Sequence, residues 1–165
     1  MMCIRPMRPD DLPAVEAVQA QAYGPAYLES AEVLGSRLYS GGRLCQVALL
    51  GEACVGYLLA HPWALGRIPP LHRPLEASAM PDGVFLHDLA TAPIGRGRGV
   101  GQALLAAMLE GMAGRFARIG LVSLPAATGF WARQGFGPLP DRPCQPAARG
   151  YGRGAVYMER DTLSA

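Results

Sequence analysis

Arg96-Gly97-Arg98-Gly99-Val100-Gly101 sets three glycines and two guanidinium groups directly before a helix-like stretch, Gln102 to Leu109. Glycine permits sharp turns and lets a ligand approach the backbone without a Cβ in the way. The N–H groups of a helix's first turn have no intrahelical partner and point at whatever anion lies there. Arginine stays charged at any physiological pH. This spacing suits the binding of a polyphosphate. Each glycine costs a helix up to about 1 kcal/mol relative to alanine, so a cluster of them at a helix start serves something other than helix formation.

Spacing separates the candidate phosphate loops. A P-loop ends in Gly-Lys-Ser/Thr, and here there is no lysine near the turn and no hydroxyl on the helix to hold magnesium. A dinucleotide fingerprint counted from Gly95 meets Val100 at its third glycine, and counted from Gly97 it meets Gln102. The next apolar run, residues 118–124, also lacks the acidic residue that motif needs. What remains is Arg-x-x-Gly-x-Gly at residues 96, 99 and 101, preceded by the apolar run Phe85-Leu86-His87-Asp88-Leu89-Ala90-Thr91. Strand alternation places Phe85, His87, Leu89 and Thr91 on one face of that run, and Leu86, Asp88 and Ala90 on the other.

Together with two further segments, this loop resembles the GNAT superfamily of N-acetyltransferases, which bind the pyrophosphate of acetyl-CoA with an Arg/Gln-x-x-Gly-x-Gly/Ala turn. Ile4-Arg5-Pro6-Met7-Arg8-Pro9-Asp10-Asp11-Leu12 is similar to the family's first strand running into its first helix. Ala127-Thr128-Gly129-Phe130-Trp131-Ala132-Arg133-Gln134-Gly135-Phe136 is similar to its Ala-x-x-Phe-Tyr-x-x-x-Gly-Phe motif. The resemblance implies an α/β fold with a mixed, mostly antiparallel central sheet flanked by helices and splayed between the fourth and fifth strands. It implies acetyl-CoA as co-substrate, with the pantetheine arm lying in the splay along Leu89, Ala90 and Thr91. The diphosphate would lie against Arg96, Gly97, Arg98, Gly99, Val100, Gly101 and Gln102, and Phe130 would also contact the cofactor. The implied reaction moves an acetyl group directly to a primary amine, expected to belong to a small molecule. Transfer to protein N-termini or lysines, and a catalytically silent acyl-CoA-binding module, are the alternatives.

Such a reaction needs a base. An alkylamine has a pKa near ~10, so about one molecule in a thousand is neutral and nucleophilic at pH 7. His87 occupies the position where polyamine-type relatives carry a glutamate base, and an imidazole with a pKa near ~6.5 can do the same work. Asp88 is the second choice; a buried carboxylate must be paired, so it also reads as a structural acceptor. Where many relatives place a tyrosine acid, this chain has Trp131, whose indole cannot release its proton at useful pH. Tyr151, Tyr157, Ser123 and Thr128 are left as proton donors, and Tyr151 joins His87 and Asp88 in the catalytic set. Thiolate, with a thiol pKa near ~8.5, can also leave unaided. At Leu124, many relatives have an asparagine that contacts the cofactor.

The elements that position these groups alternate along the chain. The pattern predicts a strand over 3–6, a helix capped by Asp10 or Asp11 and running to about Gln21, and a helix over 31–39 capped by Ser30 and ended by Gly41-Gly42. A hairpin joins 44–50 to 53–60 through Gly51-Glu52. A strand over 84–91, a helix over 99–115, a strand over 118–124, a helix over 126–134 and a strand over 154–159 follow. Gly135 is expected in a left-handed cap, with Phe136 in the core. Residues 62–81 fit no period, and a loop of that length is expected to shape the acceptor pocket.

Composition agrees with this reading. The 165 residues are expected to form one domain. Half of them are apolar, yet charges and prolines interrupt each run before the ~18 residues a membrane span needs, and neither a membrane partner nor a secretory signal is expected. Cys3, Cys45, Cys54 and Cys144 have neither Cys-x-x-Cys spacing nor a suitably placed histidine. They read as reduced thiols of a cytoplasmic protein without a metal site. A net charge of +2 argues against a nucleic-acid partner. A homodimer is expected on general grounds.

Overall fold

The computed structural model describes residues 1–112, 114–139 and 150–162; Cys144 falls outside them. In chain order the elements are β1 (Met2–Pro6), α1 (Leu12–Ala22), α2 (Ala31–Gly41), β2 (Gln46–Leu50), β3 (Ala53–Trp63) and β4 (Gly83–Thr91). They continue with α3 (Val100–Met112), β5 (Arg118–Ser123), α4 (Thr128–Arg133), β6 (Gly137–Pro138) and β7 (Val156–Asp161). Among the described residues, seven strands form one sheet in the order β1-β2-β3-β4-β5-β7-β6. The pairing is antiparallel throughout except between β4 and β5.

Local chemistry explains most boundaries. The Ser30 side chain accepts the Val33 N–H and opens α2, while Gly42, at φ 53°, closes it. Gly41 lets α2 lie directly on β3: a Cβ there would fall 1.9 Å from the Ala60 carbonyl oxygen. The expected cap of α1 is different. Asp11 accepts the Arg8 N–H at 2.7 Å and the two arms of the Arg5 guanidinium, each at 2.7 Å, so it ties β1 to the turn before the helix and caps no helical N–H. Strand β3 runs on through His61 and Pro62 to Trp63, past the expected end at residue 60. Proline lacks an N–H, yet Pro62 keeps its register opposite Val84. α3 and α4 are each shorter than the sequence pattern implies, as helix ends commonly are, while β7 keeps the expected six residues but starts and ends two positions later.

Helices cover both faces of the sheet. Val15 and Val18 of α1 and Leu34 and Leu38 of α2 pack with Tyr57, Leu59 and Ala90 on one face. Val100, Leu104 and Met108 of α3 and Trp131 of α4 pack with Leu58, Leu86 and Leu121 on the other. No helix among the described residues is long and apolar enough to cross a membrane.

Two irregularities in β4 create the site. Its pairing with β5 is confined to Val84–Ile119, Phe85–Gly120 and Leu86–Leu121, and beyond Leu86 the strands part. Against β3, Leu59 faces Asp88 and Ala60 faces Leu86, so His87 is an extra residue with no opposite number. One inserted residue shifts every later side chain to the other face. Asp88 and Ala90 therefore share the α1/α2 face with Phe85, and Leu89 turns to the α3 face. The regular alternation expected from the sequence, with His87 and Asp88 on opposite faces, ends at this bulge.

Candidate active site

The turn before α3 carries Gly97 at φ 76° and Gly99 at φ 72°, left-handed conformations that favour glycine. The first helical hydrogen bond within α3 runs from Ala103 N–H to the Gly99 carbonyl at 3.0 Å, which leaves the preceding N–H groups at the open end of a thirteen-residue helix. A cavity of ≈ 360 Å³ lies against this end. Its walls include Leu89, Thr91, Arg96, Gly97, Gly99, Val100, Gly101, Gln102 and Phe130. A Cβ on Gly101 would come within 3.0 Å of the Phe130 ring, so glycine at 101 lets the helix end and that ring lie side by side. Two expected residues stand elsewhere. The Ala90 side chain is buried on the far face of β4, a result of the bulge, and the Arg98 guanidinium turns back to the Ile94 carbonyl at 3.1 Å.

Leu89 and Phe130 also border a second cavity of ≈ 330 Å³, so the two spaces meet at these residues. The second lies in the opening between β4 and β5, with His87 and Asp88 on one side and Val122, Leu124 and Trp131 on the other. Tyr23, Tyr27, Glu29, Leu71 and Tyr151 also line it. Trp131 stacks edge-on against Phe130 and Phe136, so it is both core and cavity wall. Gly135, at φ 89°, ends α4 and places Phe136 in the core as expected. Residues from the 62–81 segment reach the site: Leu71 borders the cavity, the Pro69 carbonyl accepts the Tyr151 hydroxyl at 2.9 Å, and His72 N–H donates to Glu29 at 2.7 Å.

His87 is surrounded by protein yet keeps a partly exposed surface towards the cavity. Its Nδ1 lies 3.1 Å from His61 Nε2, and its Nε2 lies 3.4 Å from the Tyr151 hydroxyl. Burial, with the Arg37 guanidinium and His61 adding to it, holds His87 well below the usual histidine range. Fully buried His61 is lowered to about 4, chiefly by burial. Both rings are therefore neutral at physiological pH. Asp88 lies between the hydroxyls of Tyr57 at 2.5 Å and Tyr23 at 2.9 Å. Burial pushes its carboxyl up to about 6 in spite of those two donors. Burial also raises the Tyr151 phenol.

The other proton donors considered from sequence are engaged. Tyr157 donates to Glu159 at 2.7 Å and accepts from Gly66 N–H, while the Ser123 hydroxyl donates to the Leu124 carbonyl at 2.9 Å. Thr128 Oγ1 lies 3.3 Å from Ser123 Oγ and 3.5 Å from the Leu124 carbonyl. Beside the cavity, fully buried Arg37 holds Glu29 with two arms, at 2.5 and 2.7 Å.

Sequence reasoning missed Tyr23, Tyr57, His61, Glu29 and Arg37. A lone titratable residue at the end of an apolar run was the signal for His61, and ending that strand at residue 60 hid it. The others come from distant segments and carry no local signature.

A family model described as Acetyltransferase (GNAT) family matches residues 12–136, and the chain belongs to that family. Among solved structures, it is similar to the GphF GNAT-like decarboxylase in complex with isobutyryl-CoA, at 20% identity and a TM-score of 0.75 over 97% of this chain and 99% of that one. The loading GNATL domain of CurA from Lyngbya majuscula is similar at 15% identity and a TM-score of 0.77, over 98% of each chain. The ribosomal-protein-S18-alanine N-acetyltransferase from Escherichia coli is similar at 20% identity and a TM-score of 0.66, over 100% of this chain and 96% of that one. At these identities the likeness establishes the fold. No curated protein sequence matches significantly.

Proposed function

We propose that the protein transfers an acetyl group from acetyl-CoA to a primary amine of a small molecule, with His87 as the base. One observation carries this reading: the open N-terminus of α3 and the cavity containing His87 meet at Leu89 and Phe130. Such a path suits a long thioester carrier with an anionic end. When bound, acetyl-CoA would supply the electrophilic carbonyl and the thiolate leaving group. Gly97, Gly99, Val100 and Gly101 would hold its diphosphate through backbone N–H groups, with Arg96 adding charge. Leu89, Thr91 and Phe130 would flank the arm that leads into the splay.

His87 lines the cavity, and its Nε2, the ring nitrogen not engaged with His61, is suited to take the proton an amine loses as its C–N bond forms. Because the ring is held neutral to well below its ordinary pKa, it stays competent as a base at mildly acidic pH. Tyr151 donates its hydroxyl hydrogen to Pro69 O and its phenol is raised, so it fits a wall and positioning role better than that of a proton source. Asp88, held by Tyr23 and Tyr57, fits a structural acceptor at the bulge. Tyr27, Leu71 and Tyr151, from three separate segments, narrow the acceptor side, and this favours a small amine over a folded protein.

The test is incubation with acetyl-CoA and a panel of small amines, following thiol release and N-acetyl product by mass spectrometry. Acetylation of at least one amine, reduced about 100-fold or more by His87→Ala, is the expected outcome. Thiol release without N-acetyl product, or an unaffected His87→Ala enzyme, would overturn the proposal.

A further inference from the structure

His87 Nε2 can serve as a base only if it carries no proton in the neutral ring, and a free imidazole has two tautomers. The surroundings of the histidine pair discriminate between them. Pro62 O lies 3.2 Å from His61 Nδ1, and a carbonyl can only accept. His61 Nδ1 must then bear the hydrogen, which leaves its Nε2 bare. The 3.1 Å contact between His61 Nε2 and His87 Nδ1 holds one hydrogen, so it resides on His87 Nδ1. His87 Nε2 is left with its lone pair. The opposite arrangement would set a ring lone pair against the Pro62 carbonyl in a site with no exposed surface, where an unmatched polar contact is costly.

We infer that His61 is a positioning residue, which fixes His87 in the Nδ1-protonated tautomer and so keeps His87 Nε2 bare beside the cavity. The inference deepens the acetyl-transfer reading, and it rests on that reading for its catalytic consequence. The second end of the chain is consistent with it. Tyr151 gives its hydrogen to Pro69 O at 2.9 Å and approaches His87 Nε2 at 3.4 Å, so it leaves that nitrogen's lone pair unclaimed. Once Nε2 gains a proton, the same hydroxyl oxygen can accept from it. The imidazolium would then have an acceptor at each nitrogen: His61 Nε2 and Tyr151 Oη.

The other titratable and charged groups near this pair come from several elements. They are Asp88, adjacent on β4; Tyr57 on β3; Tyr23, just past the end of α1; and the Arg37–Glu29 ion pair of α2 and the segment before it. None of these is within hydrogen-bond distance of the two imidazoles, so the tautomers are set by Pro62, His61, His87 and Tyr151. The bulge makes the arrangement, because it is the extra residue on β4 that meets the fully buried His61 of β3.

Long-range ¹H–¹⁵N correlation spectra of the histidine rings test this directly in the 165-residue chain. Both His61 and His87 are expected to show a protonated Nδ1 and a bare Nε2 at neutral pH; a hydrogen on His87 Nε2 overturns the inference. His61→Gln places an amide oxygen where Nε2 was, and it should keep the His87 tautomer and keep turnover within about threefold of wild type. His61→Leu removes the acceptor. It should shift His87 towards the other tautomer and lower kcat by about 100-fold without changing KM for acetyl-CoA. If His61→Leu does not fold, the wild-type and His61→Gln spectra decide. If the expected tautomers are found but no amine is acetylated, the acetyl-transfer reading fails while the assignment of His61 stands. Equal kcat in His61→Leu and wild type overturns the positioning role.

Discussion

Gly99→Val separates what the phosphate loop does for the fold from what it does for a ligand. Gly99 stands at φ 72°, and the nearest atom to a Cβ built there is Gln102 Oε1 at 3.8 Å, so the substitution meets no steric wall. Its cost is conformational. A branched residue held in the left-handed region loses about 1–2 kcal/mol, which for a chain of this size lowers Tm by about 2–8 °C. If the loop relaxes instead, its N–H groups rotate away from the open end of α3. Loss of one or two charge-assisted hydrogen bonds, at about 1.5–3 kcal/mol each, weakens binding by tenfold or more. Gly114 supplies the control: it has φ 75°, open space around it, and a place beyond the other end of α3. Gly114→Val should lower Tm comparably and leave CoA affinity unchanged. Calorimetric titration with CoA and thermal unfolding of both variants measure the two quantities. Wild-type affinity in Gly99→Val, or equal affinity losses in both variants, would refute the assignment of the loop.

Two further outcomes follow from buried charge. Asp88 is raised to about 6 from an ordinary 3.8, so its contribution favours the folded state at low pH and is lost as pH rises through 6. Lowered His61 and His87 act in the opposite sense: their contribution is present above 6.5 and is lost as pH falls. Asp88→Asn removes this opposing contribution, so its stability relative to wild type should improve by about 2 kcal/mol between pH 4 and pH 7. Urea unfolding at the two pH values checks this, and a pH-independent difference would count against it. Arg37→Leu leaves Glu29 buried without its cation and should destabilise by about 3–5 kcal/mol, read from the same unfolding curves. A loss below about 1 kcal/mol would mean that Glu29 regains water.

The glycine spacing at 96–101, the Ser30 cap and the Gly51-Glu52 hairpin are legible in sequence because each is local, decided by the backbone freedom or hydrogen-bonding capacity of neighbouring residues. The family resemblance also anticipated the parting of β4 from β5. Side-chain direction beyond Leu86 was not legible. Alternation assumes an unbroken ladder, and nothing in Phe85 to Thr91 marks His87 as the residue that drops out of register. Asp88 was readable as a group needing partners, but Tyr23 and Tyr57 come 65 and 31 residues earlier in the chain.

The sequence by itself determined where the backbone turns, which helix presents a free N-terminus, and that a histidine and an aspartate stand side by side on the strand before it. Tertiary structure decided what those two side chains are. A bulge turned both to one face, β3 brought His61 to His87 from 26 residues away, and burial lowered one proton affinity while raising the other. Backbone geometry answers to the residues beside it, whereas protonation answers to solvent exclusion and to polar partners that meet only when the sheet is assembled.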